Sequence, residues 1–411
     1  MVELIKNSYD ADATEVIVLG ESLAHADEGR IVVRDNGSGM GPTEFENGFM
    51  RIAGRTKLTE DKRSVVFGRR FTGEKGVGRL AAHKLATKVE IFSRKSGETL
   101  RGAPELAAPI SMIKATIDWN AIEALQTLDQ VATSNAVTLK AMNPAPDRRA
   151  GTQLTLHPLR RAWTERTKGA FLREAATLVP PPALWAKLPE GVLKEPLLRD
   201  ELSVRDQDVA DPGFRVDFRG ELSLGDLLLP AGAHRAHWAA EIEFDRVTRR
   251  MRIAISPTSA GLSLAPAAEG FRLDRIVEGD AGPSFSARIL QISNTVWPQA
   301  VQGVRVYMEG FRVPPYGEVG DDWLELDSDY RSRARRKLVK LERLSDVPAG
   351  MDKEELSLQG NSALMGAVFL QRSSSEGLEM LVNREGFLPG PDIDFVKRWV
   401  RIATDLIVRL G

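Results

Sequence analysis

Two spacings of apolar residues alternate along the chain, one helical and one extended, and they divide its first third into short elements. Residues 2–10 read as a helix, and Glu15–Gly20 and Arg30–Asp35 read as strands of alternating or continuous apolar character. Pro42–Met50 reads as a second helix with proline in its first turn, where a missing N–H costs nothing. From about 51 to 76 the chain is rich in Gly, Arg, Lys and Thr and keeps no period, so a long loop is expected there. Such loops inside compact domains usually carry function. Gly78–Ala86 reads as a short helix, and Lys88–Arg94 and Gln153–His157 as further strands.

The helical period returns at Thr164–Leu178, and Val179-Pro180-Pro181-Pro182 stops it. Strand-like pieces follow at Phe214–Phe218, His237–Phe244 and Met251–Ala254, in a stretch (196–285) whose topology the pattern leaves open. Ser286–Ser293 and Gly303–Met308 alternate as strands, with Glu309-Gly310 turning into Phe311-Arg312-Val313. Leu364–Gln371 and Leu378–Leu381 read as strands, and Asp392–Leu410 as an amphipathic closing helix. The expected fold class is α+β, with one domain at 1–175 and a second at 176–411.

At 411 residues the chain is too long for one ordinary core of roughly 100–200 residues. Hydrophobic residues at 42% and charged residues at 27% give the balance of a folded globular protein. The net charge of −1 supplies no global attraction to nucleic acid or to an anionic membrane, so any such contact needs a local patch. The absence of cysteine excludes disulfides, thiolate zinc sites and a cysteine nucleophile, and fits a reducing, cytoplasmic setting. No apolar run approaches the roughly 20 residues that span a bilayer.

Chemistry concentrates near the start. Glu3 and Asn7 stand at i and i+4, on one helical face that can hold a water beside a metal ion, with Asp10 a turn further on. Arg34-Asp35-Asn36-Gly37-Ser38-Gly39-Met40 places an acid at a strand end before two glycines that admit close backbone approach. Gly73-Glu74-Lys75-Gly76-Val77-Gly78 frees backbone N–H groups at a helix start, where phosphate oxygens bind. It is not a Walker A loop, because Gly76 and not Ser or Thr follows Lys75.

These segments, with Gly151-Thr152-Gln153-Leu154-Thr155-Leu156, resemble in order and separation the N box, G1 box, G2 box and adenine-side strand of the GHKL ATPases. That group includes DNA gyrase, the cytosolic heat-shock chaperone, sensor histidine kinases and MutL. The resemblance implies a Bergerat-type α/β sandwich that binds ATP and Mg²⁺. Glu3 would then orient the attacking water and Asn7 would ligate Mg²⁺, with Asp10 in support. Asp35 and Thr152 would take the adenine amine, while Gly37, Gly39 and Met40 line the base. Gly73, Lys75, Gly76, Val77 and Gly78 would cradle phosphates, and residues 51–76 would form a lid. The resemblance also implies a further segment before the opening helix.

Two later patches resemble the same group. Asn383-Arg384-Glu385-Gly386-Phe387 is similar to a loop of the chaperone's middle domain and of microrchidia-type ATPases, which implies that Arg384 reaches the γ-phosphate as a catalytic cation. Val304–Glu318 is similar to the transducer domain, of ribosomal S5 domain 2 type, with Arg312 as a lesser candidate. Residues 331–343 form an expected basic helix, Arg331 to Arg343, that could meet nucleic-acid phosphates. His234 and His237 lack a third zinc ligand. The leading expectation is an ATP-hydrolysing conformational switch, with an ATP-dependent homodimer implied by resemblance. The alternatives are a non-hydrolysing ATP-binding scaffold and a DNA-associated clamp. A histidine-kinase reading needs a phospho-accepting helix before the pocket.

Overall fold

The computed structural model describes residues 1–46, 64–69, 78–95, 99–100, 103–107, 111–125, 130, 134–142, 149–202, 211–279, 282–318, 320–332, 359–375, 377–379 and 386–411. The fold is α+β, built as two compact units with one mixed seven-stranded sheet each.

In the first unit, α1 (Val2–Asp10) leads into a hairpin of β1 (Glu15–Glu21) and β2 (Arg30–Asp35), followed by a single turn, α2 (Pro42–Glu44). After α3 (Gly78–Leu85) come β3 (Lys88–Arg94), a small ribbon of β4 (Thr99–Leu100) and β5 (Ala103–Ala107), β6 (Met112–Asp118), α4 (Trp119–Glu123), β7 (Val137–Met142), β8 (Gly151–Leu156) and α5 (Glu165–Ala175). The sheet order is β7-β6-β3-β8-β2-β1-β9, where β9 is Arg215–Gly220. Every neighbouring pair is antiparallel except β1 and β9.

Alternation places Val16 and Val18, Ile31 and Val33, and Val89 and Ile91 on the buried face, which is what a sheet covered on one side requires. Helices α1 and α3 pack on each other and over β2 and β3. Phe171 of α5 meets Phe218 of β9 edge to face at 6.0 Å, a favourable aromatic geometry. The expected helix from 164 to 178 is shorter at its end, because residues after Ala175 leave for the second unit. Strand β9 departs from the expected division more sharply. Residues assigned to the second domain from the sequence complete the first sheet, in register from Glu15↔Arg215 to Gly20↔Gly220.

The second unit holds α6 (Pro182–Trp185), β10 (Trp238–Asp245), β11 (Arg250–Pro257), α7 (Ser259–Leu264), β12 (Phe271–Ile276), β13 (Phe285–Gln291), β14 (Gly303–Met308), β15 (Phe311–Val313), α8 (Leu326–Ser332), β16 (Leu364–Leu370) and α9 (Pro391–Leu410). Its sheet runs β12-β11-β10-β13-β16-β14-β15, with only β14 and β16 parallel. Helix α9 covers one face, burying Val396, Trp399, Val400 and Leu406 against Ile242, Ile253 and Ile289.

The segment after Ala175 crosses the other face of the same sheet. Arg288 of β13, fully buried, donates from Nε to Glu241 Oε1 (3.0 Å) and from its Nη atoms to the carbonyls of Ala186 and Leu198. Glu241 Oε2 accepts the Leu197 and Leu198 amides. Because both faces are covered, every residue of β14 and β16 is buried, so the alternation expected at Gly303–Met308 is absent. Glu309 and Gly310 both take positive φ, 53° and 75°, as a two-residue hairpin turn requires.

The expected basic helix also differs. Helix α8 starts at Leu326 with Asp327 and Asp329 in its first turn and includes Arg331, while 333–343 lie outside the described residues. No strand forms at the described part of Leu378–Leu381, residues 378 and 379. No helix among the described residues is long and apolar enough to cross a membrane.

Candidate functional site

The site grows from the end of β2, beside the start of its hairpin partner β1, where Asp35 turns out of the sheet. Asn36 fixes the exit: its Oδ1 accepts the Thr14 and Glu15 amides at 2.9 and 3.0 Å. The next turn folds back on the end of α1, with the Ser38 amide donating to the Ala11 carbonyl at 2.7 Å. A side chain at Gly37 would come within 2.5 Å of that carbonyl, so only glycine allows the approach.

Asp35 Oδ1 accepts the Gly37 amide (2.9 Å) and the Thr152 amide (3.1 Å), and Oδ2 accepts the Ser8 hydroxyl (3.2 Å). Part of the residue's surface stays open, yet its carboxyl is enclosed enough that burial raises its pKa from 3.8 to about 6, against the pull of those three bonds. A second knot lies beside it. Ser93 Oγ, on β3 and fully buried, accepts the Met40 amide at 2.8 Å and meets Thr152 Oγ1 at 2.9 Å.

Asp35, Gly37, Met40 and Thr152 are thereby drawn into one hydrogen-bonded constellation. Gly39 supports it from behind, at φ +67°, where a Cβ would sit 1.9 Å from the Arg94 carbonyl. Gly39→Ala is expected to cost about 1–3 kcal/mol of stability, read as a lower denaturation midpoint and a shifted Ser93–Met40 contact.

On α1, Glu3, Asn7 and Asp10 are all partly exposed, and the neighbouring Ser8 links this helix to Asp35. Glu3 Oε1 pairs with Lys6 Nζ at 2.9 Å, a contact absent from the sequence-based expectation. Gly78 opens α3. Gly73, Lys75, Gly76, Val77 and Arg384 lie outside the described residues.

Sequence reasoning missed Ser8, Ser93 and an anchor built on Asp12 and Arg69. Asp12 accepts the Val66 and Phe67 amides at 2.8 and 3.1 Å. Arg69, 4% exposed, forks onto Asp211 (2.8 and 2.6 Å), caps carbonyls at the end of α1 and lies over the Tyr9 ring at 4.6 Å. Residues 64–69, read from sequence as part of a long loop, are thus pinned to α1. Asp12 sits at φ 60°, a left-handed conformation that Asp tolerates better than most residues.

The donor set suits an amine. Among the described residues Asp35 Oδ2 has a single donor, Ser8, leaving acceptor capacity on an enclosed carboxylate, and the Ser93–Thr152 hydroxyl pair lies alongside. Asn7 offers the hard oxygen that Mg²⁺ prefers. Among the described residues no group of three or more His, Cys, Asp or Glu could hold a metal by itself, so ligand oxygens would have to complete such a site.

Comparison with known proteins adds an independent line. A segment of 96 residues, 23% of this chain, is 35% identical to the "Putative type II restriction enzyme HgiDII" of Herpetosiphon aurantiacus. The chain spans 14% of that relative's length, so the likeness concerns a part of it. Residues 1–143 match the family described as Histidine kinase-, DNA gyrase B-, and HSP90-like ATPase. Over these residues, with the Asp35 turn inside them and the Gly151–Thr152 strand start just beyond, the chain is similar to the GHKL-type ATP-binding proteins.

Proposed function

We propose that the first unit binds ATP with Mg²⁺ and hydrolyses it, and that the cycle drives a conformational switch in which two copies of the chain associate. The observation that carries this reading is the enclosed Asp35 carboxylate, held by Gly37, Thr152 and Ser8 with acceptor capacity to spare. An exocyclic amine is a donor that such a group satisfies, and leaving either side unpaired is costly. In this reading Thr152 shares the amine, Met40 flanks the base, and Gly73, Lys75, Gly76, Val77 and Gly78 meet the phosphates.

Asn7, supported by Asp10, would hold Mg²⁺, which when bound neutralises charge on the phosphates. Glu3 would then leave Lys6 to align a water with the terminal phosphorus. Such chemistry needs positioning and charge stabilisation more than covalent participation.

Calorimetric titration with ATP, combined with phosphate-release assays and light scattering, tests the proposal. The expected result is saturable binding, turnover that disappears when Mg²⁺ is chelated, and a mass that doubles with a slowly hydrolysed analogue. Absence of ATP binding by the intact chain would overturn it. The name of the Herpetosiphon relative, a putative restriction enzyme, favours a second reading, ATP-dependent action on DNA. Titrating the same samples with duplex DNA over a salt series distinguishes it, since phosphate contacts weaken steeply with salt.

A further inference from the structure

Across the second sheet, one register row places Glu241 of β10, Arg288 of β13, Ala367 of β16 and Arg305 of β14 side by side. Two buried arginines therefore occupy one row with an alanine between them. Their circumstances differ completely. Arg288 is neutralised by Glu241 and saturated by two carbonyls, as a buried cation should be.

Arg305 is 3% exposed, and its Nε is shut away with no hydrogen-bond partner. No carboxylate pairs with it among the described residues. Two positions along β14, Tyr307 donates its hydroxyl to the Thr177 carbonyl at 3.0 Å, and Arg312 stands opposite Tyr307 in register. Arg312 donates to Thr177 Oγ1 at 2.9 Å and lies 3.2 Å from Glu318. Thr177 Oγ1, accepting from Arg312, keeps its own proton free to donate.

Among the described residues the local sum is two cations against one carboxylate. Burial first, and then the like charge of Arg312, hold the Arg305 pKa below its usual value, while Tyr307 and Glu318 act the other way. A buried guanidinium left in this state is destabilising unless something supplies negative charge and acceptor oxygens.

We propose that Arg305, together with the Arg312 that acts on it and the Thr177 bonded to Arg312, forms an oxyanion site within the second unit that takes a phosphate group. The planar fork of a guanidinium matches two oxygens of a tetrahedral anion, and the Thr177 hydroxyl suits a third. The site is built from second-unit residues and is independent of the nucleotide reading above.

Calorimetric titration of the full chain with inorganic phosphate, and separately with phenyl phosphate, in chloride buffer of matched ionic strength tests it. Binding that weakens about 10- to 100-fold in Arg305→Met, the scale of lost charge-assisted hydrogen bonds, supports the site. A response to inorganic phosphate assigns a free-anion site, and a response to phenyl phosphate alone assigns a monoester site. Arg305→Met is also expected to melt on the order of 3 °C higher without ligand, because an uncompensated charge is gone. If that variant fails to fold, Arg305→Lys, which keeps the charge and loses the fork, should fold and bind more weakly than the parent. Phosphate binding of equal strength in parent and Arg305 variants, or none in the parent, overturns the proposal.

Discussion

Replacing Asp35 by Asn is expected to weaken ATP binding by about 10- to 100-fold, the scale of losing one charge-assisted hydrogen bond, while making the ligand-free protein more stable at neutral pH. The two effects share a cause. The Asn oxygen can still accept the Gly37 and Thr152 amides, and Ser8 can rotate its hydroxyl to accept from the new amide. What disappears is a negative charge held in an enclosed position.

The folded pKa of about 6 exceeds the ordinary 3.8, so between these values the folded chain binds more protons than the unfolded chain. Stability from this group therefore falls as pH rises from about 4 to 6 and stays low above that. The ceiling on the effect is about 3 kcal/mol. Urea titrations at pH 4 and pH 7.5 should show Asp35→Asn near the parent at the lower pH and above it at the higher. Unchanged ATP affinity in this variant would remove Asp35 from the adenine contact.

Glu3→Ala is expected to cut steady-state ATP turnover by about 100- to 10,000-fold, the range seen when a positioned acid–base group is removed, with ATP affinity preserved. Glu3 is partly exposed on α1 and pairs with Lys6, so its loss leaves the core around Leu4 and Ile5 intact. Initial rates of phosphate release, set beside binding isotherms, provide the comparison. A scaffold that holds ATP without consuming it would give no turnover in the parent and no difference between the two proteins.

Those parts of the candidate site that are local in the chain were legible in the sequence. Asp35 and Gly37 announce themselves because a strand pattern ends in an acid followed by a turn, and Glu3 with Asn7 because helical spacing aligns them. Ser8 and Ser93 were invisible for the opposite reason. Each looks like an ordinary small polar residue, and its meaning arises only when β3, β8 and α1 converge on Asp35.

The same physics governed the fold. Hairpin β1–β2 was legible, as was the closing helix, whose apolar stripe is long. Strands Met112–Asp118 and Val137–Met142 went unnoticed, and β9 was given to the wrong domain, since pairing between distant segments leaves little trace in either one. Arg305 sits in a segment read as simple architecture; that no carboxylate among the described residues pairs with it depends on four strands in register.

The pairing of β1 with β9 sets an order of events during synthesis. Glu15 and Arg215 are 200 positions apart, so a nascent chain must carry one flank of its first sheet uncovered until the ribosome has moved well past the start of the second unit. Closure over so large a separation is slow in entropic terms, and the hairpin of β1 and β2 has to persist meanwhile with a bare rim of amides and carbonyls.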